Sequence, residues 1–229
     1  MKNKNDTAII IPLYNEEKTI KKVILELQEK YPFYEIIVVD DASNDNSYNE
    51  ACIKGVWLLK HIVNLGQGGA IQTGIEFARQ KNINYIITFD ADGQHTADDI
   101  KYFIKNLKDN KVDIILGSRF LGKAENISTF KKYFLKLSRV FTFISTGIWL
   151  TDSHNGFRAI NIGKFPKFEI TENRMAHASE IIDLIKNLKM SYIEMPCTIK
   201  YTDYSKNKGQ SMINSVGIII EYIIGRLTK

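Results

Sequence analysis

The chain is built from short β-branched runs, each stopped by a polar turn and followed by apolar residues at helical spacing. Thr7-Ala8-Ile9-Ile10-Ile11-Pro12 leads through Leu13-Tyr14-Asn15-Glu16-Glu17 to Ile20, Val23, Ile24 and Leu27, which predicts strand, loop, helix. Glu35-Ile36-Ile37-Val38-Val39 is a second strand-type run. It ends in the turn-rich segment Asp40–Ser47, where Ser43 and Asn44 suit capping of the next helix. Beyond it the pattern predicts a strand over 57–61 and a helix over 68–80 carrying Ala70, Ile71, Ile75 and Ala78. A strand over 84–89 follows, then a helix over 97–109 with Ile100, Phe103, Ile104 and Leu107 on one face, and a strand over 112–117. Strands alternating with helices predict an α/β fold, a mainly parallel sheet with helices on both sides. Ser191 to Tyr201 alternates, with Ile193, Met195, Cys197, Ile199 and Tyr201 on one face, and Pro196 suits an edge strand.

Two apolar segments fall outside this alternation. Across 128–150, Phe130, Phe134, Leu137, Phe141, Ile144 and Ile148 recur at steps of four and three, with Lys131, Lys132, Lys136 and Arg139 between them. Such a basic amphipathic helix either packs on the sheet with its lysines outward or lies on an anionic membrane surface. Phe143, Trp149 and Leu150 widen its apolar surface. Residues 216–225 form an apolar helix that is too short to span a bilayer and contains Glu221. It suits a membrane surface or an oligomer contact.

Composition narrows the picture little further. A chain of 229 residues without a low-complexity linker or internal repeat is expected to form one domain over 1–229. Cys52 and Cys197 lack metal-ligand spacing and are expected to be reduced and partly buried. The first residues run directly into the first strand with no apolar leader, so a cytoplasmic protein is expected. A net charge of +5 suits anionic lipid and anionic nucleotide alike.

The candidate chemistry lies at the strand ends. Asn84-Tyr-Ile-Ile-Thr-Phe-Asp-Ala-Asp-Gly-Gln-His95 ends an apolar strand in two carboxylates one residue apart. In extended geometry Asp90 and Asp92 share a face, and hard oxygen ligands of this kind suit Mg²⁺ or Mn²⁺ that also holds substrate phosphates. The alternative is a solvated turn. Ligands of open α/β sheets bind outside the carboxyl ends of the strands, which favours the metal reading. Asp40 and Asp41 end the second strand and gain little from capping alone. The glycines of Asn64-Leu65-Gly66-Gln67-Gly68-Gly69-Ala70 open a helix as in dinucleotide-binding loops. That fingerprint belongs in the first βα turn, however, and Pro12–Glu16 has no glycine.

Together, Ile-Pro-Leu-Tyr-Asn-Glu-Glu (11–17), Val-Val-Asp-Asp-Ala-Ser-Asn-Asp (38–45), the glycine segment 64–70, Asp-Ala-Asp-Gly-Gln-His (90–95), Gly-Ser-Arg (117–119) and Asp-Ser-His-Asn-Gly-Phe-Arg (152–158) resemble the successive motifs of family 2 glycosyltransferases. The likeness is to the dolichyl- or polyprenyl-phosphate mannosyl- and glucosyltransferase branch. Motifs in this order are far more specific than any one of them.

The resemblance implies the GT-A fold and a nucleotide-diphospho-sugar donor, UDP- or GDP-linked. In the metal site it would use Asp90, Asp92 and Gln94. Asp40 and Asp41 would face base and ribose, and Pro12, Tyr14 and Glu16 would form the other wall. Gly68 and Ala91 complete the donor set, and Lys206 and Lys208, with Gly209, Gln210 and Ser211, form a loop that either closes on the diphosphate or is simply solvated. Arg119 and Arg158 would bind phosphate. Asp152 would orient or deprotonate the acceptor, His154 is a second candidate base, and Glu180 matches a carboxylate following the acceptor loop. Many relatives place Lys where this chain has Gln67. The implied acceptor is polyprenyl phosphate or a lipid-linked glycan at the inner face of the membrane, which assigns the 128–150 helix to the lipid interface. A membrane-protein partner would supply an anchor, a homo-oligomer is the other partner to expect, and no nucleic acid is implied. A sugar-hydroxyl acceptor, a nucleotidyltransferase and a silent nucleotide-binding subunit are the competing readings.

Overall fold

The structure is a computed structural model that describes residues 6–109, 112–125, 139, 142–144, 146–153, 155–174 and 176–200. In chain order its elements are β1 (Thr7–Leu13), α1 (Ile20–Lys30), β2 (Glu35–Asp40), α2 (Ser47–Ala51), β3 (Val56–Lys60), α3 (Gln67–Gln80), β4 (Tyr85–Thr88), α4 (Asp99–Asp109), β5 (Ile114–Glu125), β6 (Arg158–Asn161), α5 (His177–Asn187) and β7 (Tyr192–Lys200). The strands form one seven-stranded sheet in the order β3-β2-β1-β4-β6-β5-β7. Alternation along β1 feeds two cores. Ile9, Ile11 and Leu13 pack with α1 and α4 on one face, and Ala8 and Ile10 with α3 and α5 on the other. Burial on both faces explains why the central strands read as continuous apolar runs.

The sheet is mixed, which refines the mainly parallel expectation. The pairs β1–β2, β1–β4, β2–β3 and β5–β7 are parallel, and β6 runs antiparallel between β4 and β5. β7 lies at the edge, with Pro196 exposed and Cys197 and Ile199 buried. Of the two free cysteines, Cys197 is buried and Cys52 is exposed, not partly buried.

β5 extends well past the expected 117, because it bulges between Ser118 and Lys123, where four residues stand opposite Cys197. The bulge lifts Arg119 out of the ladder. Gly122 closes it so tightly that an added Cβ would fall 2.2 Å from the Cys197 carbonyl oxygen.

The helix expected over 128–150 ends sooner than its pattern suggested. Residues 139, 142–144 and 146 are helical, Gly147 turns the chain at φ +77°, and 148–150 are irregular with Leu150 buried. Its Phe130, Lys131, Lys132, Phe134, Lys136, Leu137 and Phe141 lie outside the described residues. So do His154, Tyr201, Lys206, Lys208, Gly209, Gln210, Ser211 and the 216–225 helix. No helix among the described residues is long and apolar enough to cross a membrane.

Candidate active site

The loops after β1, β2 and β4 meet the β5 bulge and the segment before β6 at one end of the sheet. After β4, Phe89 and Ala91 are buried while Asp90 and Asp92 point the other way, and Gly93 closes the turn at φ +71°. Asp90 accepts hydrogen bonds from His95 Nε2 at 2.9 Å and from the Gln67 amide at 3.1 Å. His95 is itself stacked on Phe157 with ring centroids 5.2 Å apart. Burial would raise the Asp90 pKa, but the His95 hydrogen bond and the charges of His95, Arg158 and His177 hold it below the usual carboxylate range. Asp92 behaves oppositely. Burial and the Asp90 charge push its carboxyl up to about 6, partly offset by the N–H of Gln94 at 2.9 Å.

A carboxylate whose proton affinity is raised by burial and by a second, ionised carboxylate beside it is a donor set that a divalent cation relieves. Among the described residues no three His, Cys, Asp or Glu side chains gather into a cluster able to hold a metal. An ion held by Asp90 and Asp92 alone would have to take its remaining ligands from substrate and water. Gln94 donates both its backbone N–H and its side-chain amide to Asp92. This fixes Asp92 and turns the Gln94 amide nitrogen, not the oxygen expected as a ligand, toward the site.

Hydrogen bonds tie the β1 and β2 loops together. Asn15 N–H donates to Ser43 Oγ at 3.0 Å, Asn44 N–H to Asn15 Oδ1 at 2.8 Å, and Glu16 N–H to Ser47 Oγ at 2.6 Å. Ser43 and Asn44 therefore serve the neighbouring loop and do not cap α2, whose first turn is bonded by Asp45. Ala42 and Asn15 hold positive φ of 58° and 53°, a strained pair at the pocket wall. Pro12 lies in β1, Tyr14 is exposed at the rim, and the charge of Glu16 reaches Asp92.

The two acids after β2 have separate jobs. Asp41 gives Oδ1 to His61 at 2.7 Å and to Leu65 N–H at 2.8 Å, and Oδ2 to Gly66 N–H at 2.6 Å. It organises the loop that delivers α3. Asp40 is fully buried, and both its oxygens lack a partner among the described residues. A carboxylate so placed needs a donor from elsewhere. Beside it Ala42, Ser43, Asn44, Lys60, His61 and Ile62 line a cleft of about 500 Å³.

Gly68 is also differently employed than expected. A Cβ there would lie 2.0 Å from the Glu172 carbonyl oxygen, and Gly69 N–H donates to the Asn173 carbonyl at 3.0 Å. The start of α3 is thus roofed by segment 171–174. Glu180 holds that roof, accepting from Thr171 N–H at 3.0 Å and Glu172 N–H at 2.8 Å. It anchors this loop.

Asp152 lies across the site. Its Oδ2 accepts Arg119 Nε–H at 2.6 Å and Arg119 N–H at 3.1 Å, while Oδ1 is buried without a partner among the described residues. The Arg119 guanidinium is thereby committed to Asp152. Arg158, 2% exposed, is pushed down to about 10 by burial, against the pull of Asp90 and Asp152. One buried guanidinium therefore stands in the field of both Asp90 and Asp152. Residues 155–156 lie against Asp90, since a Cβ at Gly156 would be 3.0 Å from both its oxygens. His95, His61 and Glu194 are site residues that sequence reading left without a role. Only the His95 position inside the Asp-Ala-Asp motif signalled one of them.

Comparison with known proteins fits this geometry. Residues 8–179 match the family described as Glycosyl transferase family 2. An uncharacterized protein of Methanocaldococcus jannaschii is 33% identical over 229 residues, covering 98% of this chain and 94% of its own length. The UDP-N-acetylglucosamine–dolichyl-phosphate N-acetylglucosaminyltransferase of Methanococcus voltae is 32% identical over 242 residues, covering 96% of each chain. Among solved structures, the Mycobacterium tuberculosis glucosyl-3-phosphoglycerate synthase with Mn²⁺, uridine-diphosphate-glucose and phosphoglyceric acid has a TM-score of 0.73. It is 14% identical and is matched over 99% of this chain and 80% of its own. That likeness shows the GT-A fold. With the family matched from β1 into α5 and relatives near one-third identity along the whole length, the chain belongs to glycosyl transferase family 2 and is a glycosyltransferase.

Proposed function

We propose that this enzyme transfers a sugar, with inversion, from a nucleotide-diphospho-sugar to polyprenyl phosphate or a lipid-linked glycan at the inner face of a membrane. The observation that carries the reading is Arg158, buried and acted on by the charges of both Asp90 and Asp152. Donor and acceptor chemistry would meet across it. The unpartnered Asp40 is the natural acceptor for a nucleotide N–H or hydroxyl, with Tyr14 and the cleft beside Lys60 and His61 as walls. Uridine is the nucleotide to test first, because the Methanococcus voltae relative is named for a UDP-sugar.

In the reaction the acceptor oxygen bonds to the anomeric carbon as the bond to the diphosphate breaks, and charge grows on the departing diphosphate. Asp90 and Asp92 would hold a Mg²⁺ or Mn²⁺ ion, which would supply a Lewis acid for that charge. Gln94 holds Asp92 in place, and His95 and Gln67 hold Asp90. Asp152 presents Oδ1 to the acceptor while Arg119 fixes Oδ2. A phosphate acceptor is already ionised and needs orientation more than a base; a sugar hydroxyl needs the base.

Lipid contact is supported by an inversion of the usual burial pattern. The turn 142–146 buries Thr142 and Thr146 but exposes Phe143 and Ile144, and Trp149 and Leu121 are exposed nearby in sequence to Asp152 and Arg119. Arg139 is tied to the Leu150 carbonyl at 2.9 Å and lies over Trp149, so it belongs to the patch rim. The test is a screen of UDP- and GDP-sugars with Mn²⁺ for slow hydrolysis, then for transfer to undecaprenyl phosphate. Absence of both with every donor would overturn the proposal.

A further inference from the structure

Glu194 lies on the edge strand β7, opposite Leu116 of β5. Its neighbours Ile193 and Met195 pack toward the core on the other face. Its carboxylate crosses the end of β5 to the loop that carries Asp152. Oε1 accepts Thr151 N–H at 2.8 Å, the Thr151 hydroxyl at 2.7 Å and Asp152 N–H at 3.2 Å, and Oε2 accepts Thr151 N–H at 2.9 Å. One carboxylate thus takes the amides of two consecutive residues, which fixes the peptide plane between them. The Thr151 oxygen also lies 2.6 Å from Ser118 Oγ. Since Thr151 spends its proton on Glu194, Ser118 donates here. Ser118 Oγ in turn accepts Phe120 N–H at 3.2 Å and Leu121 N–H at 3.3 Å, the two amides that follow Arg119 in the bulge.

We propose that Glu194 is a positioning residue that sets Asp152 and Arg119 against each other, acting through Thr151 and Ser118. Arg119 stands in the bulge of β5 and Asp152 in the loop before β6, 33 positions apart. An ion pair of this kind has the wrong geometry if either loop turns. Glu194 and its hydroxyl relay hold both loops with hydrogen bonds, leaving Asp152 Oδ1 free to face the acceptor. The inference rests on the reading of Asp152 as the acceptor-facing acid.

The test combines Glu194→Ala, Glu194→Gln and Thr151→Val with Asp152→Asn. Transfer is measured from UDP-N-acetylglucosamine, UDP-glucose and GDP-mannose to undecaprenyl phosphate in detergent with Mn²⁺. Glu194→Ala is expected to lower kcat roughly 10–100-fold with donor KM and UDP affinity little changed. Glu194→Gln, whose amide oxygen can take the Oε1 place, should keep transfer within a few-fold, and Thr151→Val should fall between. In the Asp152→Asn background Glu194→Ala should add little. Hydrogen exchange should accelerate at the Thr151 and Asp152 amides while Ile193 and Met195 stay protected.

A Glu194→Ala loss that is undiminished in the Asp152→Asn background would overturn the proposal. So would Gln as damaging as Ala, or a loss confined to donor KM. Loss of protection across β5 and β7 would likewise reduce Glu194 to a fold residue. Wild-type transfer by Asp152→Asn would instead bring down the reading of Asp152, and this inference with it.

Discussion

Asp92 takes up protons because it is buried beside the charge of Asp90, which lifts its carboxyl to about 6. Asp90 stays ionised against burial, held by His95 and the cationic field around it. A proton and a divalent cation therefore compete for Asp92. Metal-dependent UDP binding should weaken as pH falls through about 6 and be full above it. Isothermal titration with Mn²⁺ across pH 5–8 checks this, and affinity flat over that range would contradict it.

The same shift has a consequence for stability. A carboxyl whose folded pKa lies above its unfolded value binds more protons when folded, so its contribution declines as pH rises from about 4 to about 6 and is unfavourable above. Asp92→Asn should therefore melt higher than wild type at pH 7.5 without metal, yet fail to gain from Mn²⁺ with UDP. Scanning fluorimetry checks both halves.

Asp40 and Asp41 should separate cleanly on substitution. Asp41→Ala removes three donors' acceptor from the 61–66 loop and should cost about 2–4 kcal/mol of stability. Asp40→Asn relieves a buried charge without a partner among the described residues, so stability should hold or rise while UDP affinity falls. Denaturant melts beside UDP titration distinguish the two, and the reverse pattern would contradict the assignment.

This division was not legible in the sequence, although the two acids were. The strands β1, β2 and β4 stood out because each is a β-branched run ending in proline or aspartate. β6 did not, since it is four residues long and begins at Arg158. Its place between β4 and β5 is set by pairing with residues 42 to 76 positions away. Residue type at the site was readable for Asp90, Asp92 and Asp152. Which carboxylates meet a ligand and which hold a loop was not, because Asp41, Glu180 and Glu194 find backbone donors 24, 8 to 9, and 42 to 43 positions away.

Membrane attraction should divide into two parts. Lys131, Lys132 and Lys136 changed to Glu should remove a salt-sensitive part worth up to about 1 kcal/mol each. Ile144→Asp with Trp149→Ser should remove the salt-insensitive part. Co-sedimentation with phosphatidylglycerol vesicles at low and high salt reads both, while hydrolysis of soluble donor should stay nearly intact. A wild type that ignores these vesicles at low salt would contradict lipid docking.

Metal-assisted sugar transfer at Asp90, Asp92 and Asp152 is read out by transfer of labelled sugar to undecaprenyl phosphate with and without Mn²⁺. Wild type should transfer only with the metal. Asp92→Ala should lose metal-dependent nucleotide binding and transfer together, and Asp152→Asn should keep binding with transfer lowered. The latter loss should be about 10²–10⁴-fold if a hydroxyl is the acceptor and small if the acceptor is already ionised. Mn²⁺-dependent transfer at the wild-type rate by Asp92→Ala would contradict the account.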